Sequence, residues 1–270
     1  MLKNTNLFRA TAILALIILF SACKKNRDGD DMLMGPDVTF YGLSTDNKIM
    51  RFNGQNTNQV LAQVSVSGLA SGESLLGIDF RPATGQLYAI GSSSRLYTIN
   101  VSTGAATAVG AAAFSPVIAG NILGFDFNPT VDRIRLVTST GQNLRLHPET
   151  GAVAFVDGSV NGVTGVSVVG SAYTENRAGA TTTALFNLDA SGNRLLKQTA
   201  PNEGTQAVVG SLGVDIDDAA GFDISPAGVA LAAMSTGGMS GLYTIDLATG
   251  AAAKVGSFGI QIRGLAIPTN

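Results

Sequence analysis

The sequence predicts an all-β fold, a five-bladed β-propeller closed by a composite blade, and three observations carry that prediction. A unit reading Gly-apolar-X-apolar, usually followed by X-Pro, recurs along the chain. A second unit of alternating apolar residues, ending in Asn, Asp or His and followed by a Gly-containing turn, recurs with it. The two ends of the chain hold complementary parts of one unit. Recurrence every 40–55 residues is, at roughly four strands per repeat, the size of a propeller blade.

The first unit stands at Gly77-Ile78-Asp79-Phe80-Arg81-Pro82, Gly124-Phe125-Asp126-Phe127-Asn128-Pro129, Gly221-Phe222-Asp223-Ile224-Ser225-Pro226 and Gly264-Leu265-Ala266-Ile267-Pro268. A weaker copy without Pro is read at Gly165-Val166-Ser167-Val168. The second unit stands at Leu96-Tyr97-Thr98-Ile99-Asn100, Leu144-Arg145-Leu146-His147, Leu185-Phe186-Asn187-Leu188-Asp189 and Leu242-Tyr243-Thr244-Ile245-Asp246, with Ile49-Met50-Arg51-Phe52-Asn53 at the N-terminal end. Turns such as Ser102-Thr103-Gly104, Glu149-Thr150-Gly151, Ala190-Ser191-Gly192 and Ala248-Thr249-Gly250 follow. Period-two alternation, β-branched and aromatic residues and Gly-containing turns signal consecutive antiparallel strands. Residues 264–268 supply one strand and residues 38–66 the remaining strands of a blade, so pairing them would hide both sheet edges. A pair of β-sandwiches fits a five-fold recurrence poorly. No helical periodicity is sustained.

The N-terminus reads as a targeting segment. Lys3 and Arg9 precede an uncharged apolar stretch over 10–22, too short for a bilayer span and suited to a signal peptide. Phe20-Ser21-Ala22-Cys23 resembles the lipobox of bacterial lipoproteins, which implies a signal peptide over 1–22 and lipidation of Cys23. Residues 23–36 then form the acylated Cys and a polar tether, and 37–270 a single propeller domain. Lys24 after the Cys fits sorting to the outer membrane, with the periplasmic or surface face left open. Without 1–22 the chain keeps 15 basic and 19 acidic residues, a net charge of −4.

That charge removes the electrostatic footprint of a nucleic-acid binder. One His and one Cys exclude a His-cluster metal site, a disulfide framework and a Cys-rich zinc site. No Gly-x-Ser-x-Gly elbow and no strand–GxGxxG–helix context occurs in 37–270, so neither a serine hydrolase nor a nucleotide site is expected.

The segments LLGIDFRPATGQLYAI (75–90), GFDFNPTVDRIRLVT (124–138), GQNLRLHPETGAV (141–153), AYTENRAGATTTALFNLD (172–189) and LYTIDLATGAAAKVG (242–256) resemble the family catalogued as domain of unknown function 4394. The resemblance covers nearly all of 37–270. It implies exported or surface proteins with a repeated β fold, and no activity.

Candidate chemistry falls in two places. Asp79, Asp126 and Asp223 take the same position in three copies of the first unit, with Ser167 and Ala266 read into the other two. In a closed ring they would line the channel, either to bind a cation or sugar or supply acid and base, or to accept backbone hydrogen bonds within the repeat, which the repetition itself favours. The second copy is the exception. Where the first has Tyr88 and Tyr97, it has Arg135 and Arg145, with Asp126, Asn128, Asp132, Arg133 and Asn143 nearby. Two guanidiniums could hold a carboxylate or sulfate in bidentate fashion, or complete an Asp–Arg network wedged between blades. His147 reads as a turn cap. Asp215-Ile216-Asp217-Asp218 has oxygens suited to calcium but lacks the Gly and Glu of an EF-hand loop; no other cofactor is expected.

The reading that results is a membrane-anchored, non-catalytic binding or interaction module for a glycan, an anionic small molecule or a protein. The alternatives are a carboxylate-dependent hydrolase or lyase on extracellular carbohydrate, and a structural envelope protein. An aromatic content of 6% with no Trp weighs against sugar stacking.

Overall fold

The computed structural model describes Met1, residues 34–217 and residues 220–269. Residues 2–22 of the signal peptide, Cys23, most of the tether and Asp218 lie outside the described residues. Among the described residues every regular element is a strand, and the strands form five four-stranded antiparallel sheets.

The first blade in chain order comprises β4 (Leu75–Phe80), β5 (Leu87–Gly91), β6 (Leu96–Ile99) and β7 (Ala106–Val109). Blade two comprises β8 (Leu123–Asn128), β9 (Arg133–Thr138), β10 (Asn143–Leu146) and β11 (Val153–Val156). Blade three comprises β12 (Val168–Tyr173), β13 (Leu185–Asp189), β14 (Arg194–Ala200) and β15 (Thr205–Ser211). Blade four comprises β16 (Ala220–Ile224), β17 (Ala230–Thr236), β18 (Met239–Ile245) and β19 (Ala252–Ser257). Blade five is the composite: β20 (Ile262–Ala266) pairs antiparallel with β1 (Thr39–Ser44), followed by β2 (Lys48–Asn53) and β3 (Ala62–Ser65). The fold is a five-bladed β-propeller closed by its own two ends.

Burial falls from axis to rim. All six residues of β4 are buried, whereas the outermost strands β3, β7 and β11 are exposed or half-exposed. At four of the five interfaces the blades meet through apolar clusters, exemplified by Phe127 and Leu136 against Tyr88 and Ile90 between blades one and two. The interface between blades two and three is polar instead.

The Gly-containing turns after the third strands act as clips between rims. Ser67 N–H of blade five donates to Gly104 O at 3.0 Å, and Ala106 N–H returns a bond to Ser67 O at 2.8 Å. Gly158 N–H of blade two donates to Asn202 O of blade three at 2.9 Å, and Ala252 N–H of blade four donates to Leu212 O of blade three at 2.9 Å. Gly104, Gly151, Gly204 and Gly250 all carry φ between 68 and 83°, which glycine adopts without strain. These bonds cover outer edges that would otherwise be free to pair.

Blade three differs from the sequence reading in two ways. Its axial strand is β12, so its repeat glycine is Gly170 rather than Gly165, and the position equivalent to the aspartates is Ala172 rather than Ser167. Ser167 precedes the strand, and its N–H donates to Asp189 Oδ1 at 2.8 Å. Leu185–Asp189 is the second strand of this blade, and the third is β14. Second and third strands share one alternation, and only the clip turn, here Pro201-Asn202-Glu203-Gly204, tells them apart. Tyr97 is also displaced by one position: Arg145 pairs with Arg135, while the residue opposite Tyr88 is Thr98. Counted back from the turn, Asn100 matches His147 and Thr98 matches Arg145, so Tyr97 faces the opposite side of its sheet.

Candidate functional site

Five glycines form the waist of the ring. A Cβ on Gly77 would meet Phe125 Cβ at 3.1 Å, one on Gly170 would meet Phe222 Cβ at 2.9 Å, and one on Gly264 would meet Ile78 Cγ1 at 3.4 Å. Gly124 and Gly221 abut backbone atoms of Ser171 and Leu265 in the same sense. Each glycine therefore touches the residue after its counterpart in the next blade, and the series closes from blade five to blade one. The space left at the waist is about 10 Å³, at or below what a single water needs.

Below the waist lie Asp79, Asp126 and Asp223, each at most 1% exposed. Their backbone alternation aims them at the next blade. Phe127 N–H donates to Asp79 Oδ2 at 2.7 Å, Tyr173 N–H to Asp126 Oδ1 at 3.0 Å, and Ile267 N–H to Asp223 Oδ2 at 2.6 Å. Phe80 N–H and Ile224 N–H bond to the Oδ1 atoms of Asp79 and Asp223. The carboxyls are thus staples from blade to blade. Asn176, wholly buried in the long β12–β13 loop, donates its side-chain amide to Asp223 Oδ1 at 3.1 Å. The sequence reading missed it, although it lies in the family-like segment 172–189.

No ion pair among the described residues reaches these carboxyls. Burial pushes Asp223 up to about 7, and burial together with repulsion from the neighbouring aspartates pushes Asp79 and Asp126 well above the ordinary carboxylate range. A carboxyl that holds its proton more tightly folded than unfolded lends stability that is complete below its unfolded pKa and lost as pH rises through the folded one. For chains refolded in chelator, the melting temperature of the native sequence relative to an Asp126→Asn variant is therefore expected to fall as pH rises above the ordinary carboxylate range. Parallel pH profiles for the two proteins would contradict this.

Above the waist, at the N-terminal ends of the axial strands, opens a mouth of about 720 Å³. Its wall includes the residue before each waist glycine: Leu76, Leu123, Val169, Ala220 and Arg263. Four equivalent positions are apolar and the fifth is a cation, with Thr45, Ser74, Ser92, Asn121 and Asp217 around them. Arg263 Nη1 donates to Leu75 O at 3.2 Å, and burial lowers the pKa of its guanidinium from the ordinary value. Asp217 is held by Gly238 N–H at 2.9 Å, which keeps its carboxylate below the usual range.

The remaining predicted residues, Asn128, Arg133, Arg135, Asn143 and Arg145, share with Asp126 the face of blade two that meets blade three. Arg135 is 2% exposed and donates to Tyr173 Oη at 3.2 Å, Asn143 Oδ1 at 2.9 Å and Asn202 Oδ1 at 2.9 Å, and to the Asp157 carboxylate. Arg145 grips the same carboxylate in a fork, Nε at 2.7 Å and Nη2 at 2.8 Å, and lies 4.0 Å over the Phe155 ring. The two guanidiniums do hold a carboxylate, and it is the protein's own. Asp132, read as part of this group, instead pairs with Arg81 of blade one. Across the interface Asn187, Gln198 and Gln206 bond to one another at 3.0–3.1 Å. Asn128 and Arg135 also border a cleft of about 510 Å³ with Lys197 and Glu203.

The profile of the family described as Domain of unknown function (DUF4394) matches residues 48–266, from the first residue of β2 to the last of β20. The chain belongs to the DUF4394 family. No curated protein sequence matches this DUF4394 chain significantly. Among solved structures, one titled dihydro-heme d1 dehydrogenase NirN in complex with DHE aligns with a TM-score of 0.41 and 15% identity, over 86% of this chain and 45% of that one. The chain thus spans less than half the length of that protein.

Two other sequence candidates of this DUF4394 chain serve turns. His147 Nδ1 accepts Glu149 N–H at 3.2 Å. Asp215 accepts Asn193 Nδ2 at 2.9 Å while Asp217 anchors the Gly238 loop, so the two described side chains reach toward separate loops.

Proposed function

We propose that this protein is a non-catalytic binding module of the cell envelope, tethered through a lipidated Cys23 and most simply placed at the outer membrane, which receives an anionic small molecule or acidic saccharide in its axial mouth. One observation carries the reading: of five equivalent wall positions at the mouth, four are apolar and the fifth is Arg263. An apolar floor with a single convergent cation, at the end of a propeller where loops gather, suits a ligand that carries one acidic group on a largely uncharged body. Arg263 spends a single hydrogen bond on the Leu75 carbonyl, so donors remain for bidentate capture of a carboxylate or sulfate. The blade-two arginines suit this role less well, because Asp157 already engages both. Hydrolysis at the aspartate ring finds no support in a trio that a saccharide cannot reach past the waist.

The test is a thermal-shift titration of the full chain with glucuronate-containing oligosaccharides, their neutral counterparts and small aliphatic carboxylates, since a ligand that prefers the native state raises the melting temperature. Acidic members are expected to raise it and neutral ones to do so less. Arg263→Ala should weaken binding about 10- to 100-fold, the size of one charge-assisted hydrogen-bond pair, while Arg145→Ala leaves it unchanged. Absence of any shift, or a shift that survives Arg263→Ala, would refute the reading.

A further inference from the structure

We propose that Asp79, Asp126, Asp223 and Asn176 form an axial site for a divalent metal cation, with calcium the best chemical match. The site is separate from the mouth and independent of what binds there. One oxygen from each of the three aspartates lies within 4.8 Å of the others, the span of two oxygens ligating one ion at about 2.4 Å each. The carboxyls come from the axial strands of blades one, two and four. In blades three and five the equivalent positions are Ala172 and Ala266, and blade three compensates by sending Asn176 to Asp223 from its long loop.

The second observation is a local excess of acceptors. Asp126 Oδ2 and Asn176 Oδ1 are both buried without a hydrogen-bond partner. Asn176 is not an acid and belongs to a different element, yet its orphaned oxygen sits on the amide that already touches the carboxyl trio. The one other buried orphan among the described residues is a donor, Arg133 Nε, on the blade-two face of the polar interface. Buried polar atoms are normally satisfied, and unpaired oxygens concentrated around three carboxyls call for a positive partner. The amides that reach these carboxyls do not fill them: apart from Asp223 Oδ1, which accepts from both Ile224 N–H and Asn176 Nδ2, every oxygen of the trio keeps a lone pair for an ion. Enclosure selects among ions. Carboxyls at most 1% exposed, beneath a waist of about 10 Å³, leave an ion little contact with solvent; calcium accepts irregular all-oxygen shells, whereas magnesium demands octahedral geometry and retains waters. A bound ion would tie together three blades and the loop of a fourth, and it would exchange only when the ring opens.

The experiment measures metal content and melting of the purified full chain. One sample is kept free of chelator. Others are denatured in chelator and refolded in calcium, in magnesium or in chelator alone. The expected result is one calcium per chain, retained through native dialysis against chelator and lost on unfolding. The calcium-refolded chain is expected to melt about 5–10 °C above the chelator-refolded one, with magnesium less effective. Asp126→Asn should abolish metal retention and the calcium effect together. Asn176→Ala, which leaves the staples intact, should weaken calcium binding by about tenfold or more. A native chain that carries no metal and refolds in chelator to the same melting temperature as in calcium would overturn the proposal, as would an Asn176→Ala chain with undiminished affinity. If Asp126→Asn fails to fold, the native-chain and Asn176→Ala arms decide the matter. A failure here leaves Arg263-dependent binding at the mouth untouched, and the converse also holds.

Discussion

Gly221→Ala is expected to lower the melting temperature by about 10 °C or more, although it adds a single methyl group. The new Cβ would overlap the backbone of Gly264 and Leu265 in the next blade. Those atoms belong to β20, the strand whose pairing with β1 closes the ring. A flexible side chain could step aside, but this backbone can yield only by opening the closure. Overpacking costs about 1–3 kcal/mol where side chains adjust and more where they cannot, and each kcal/mol moves the melting temperature of a domain this size by about 2–4 °C. The same change at Gly264 is the control. There the Cβ would lie 3.3 Å from Leu43 Cβ and 3.4 Å from Ile78 Cγ1, distances that a small adjustment relieves. Neither glycine has positive φ, so alanine at 264 also restricts the unfolded chain slightly in favour of the fold. Gly264→Ala should stay within about 1 kcal/mol of the native chain. Equal losses at the two glycines, read by thermal or denaturant unfolding, would show that the waist is looser than these contacts imply.

The second large effect concerns the polar interface. Asp157→Ala is expected to destabilise the fold by about 3–5 kcal/mol, because it leaves Arg135, 2% exposed, as a buried cation whose remaining partners are neutral oxygens of Tyr173, Asn143 and Asn202. Arg145, more exposed, can turn to water. Adding Arg135→Met to Asp157→Ala should recover most of the loss, giving a coupling energy of about 2 kcal/mol or more in a double-mutant cycle. Strict additivity would mean that Asp157 answers mainly to Arg145 and that Arg135 is satisfied without it. The interface stands out because the four others are built on apolar clusters, even where, as between blades one and two, an Arg81–Asp132 ion pair is added. Register between blades two and three is therefore set by directed bonds rather than by shape alone.

The sequence carried a great deal of this. Four copies of a Gly-apolar-X-apolar strand, with a fifth read five residues early, imply five axial strands, and the incomplete units at the two ends imply the composite blade that β20 forms with β1, β2 and β3. Alternation along β9 was enough to put Arg133 and Arg135 on one face, and the pairing register adds Asp126 and Arg145 to it. The glycine–aspartate offset was enough to place Asp79, Asp126 and Asp223 at equivalent depths. Where reading failed, a local signal was shared by two elements. Leu185–Asp189 alternates like a third strand but is a second strand, and Ser167 follows a repeat-like glycine but lies outside β12.

What the chain by itself determined is the repeat, its closure and the inward direction of its side chains, because a period of two and a fixed glycine position act within each strand. Only the tertiary structure decided the partners. Asp157 comes to Arg135 and Arg145 across a sheet whose register shifts at Arg145. Asn176 reaches Asp223 through a loop with no repeat to announce it. Arg263 becomes the lone cation among the five wall positions of the mouth only when the C-terminal strand takes its place in the ring. Pairing across blades depends on distances between residues far apart in sequence, and a single sequence encodes those distances only through the closed ring itself.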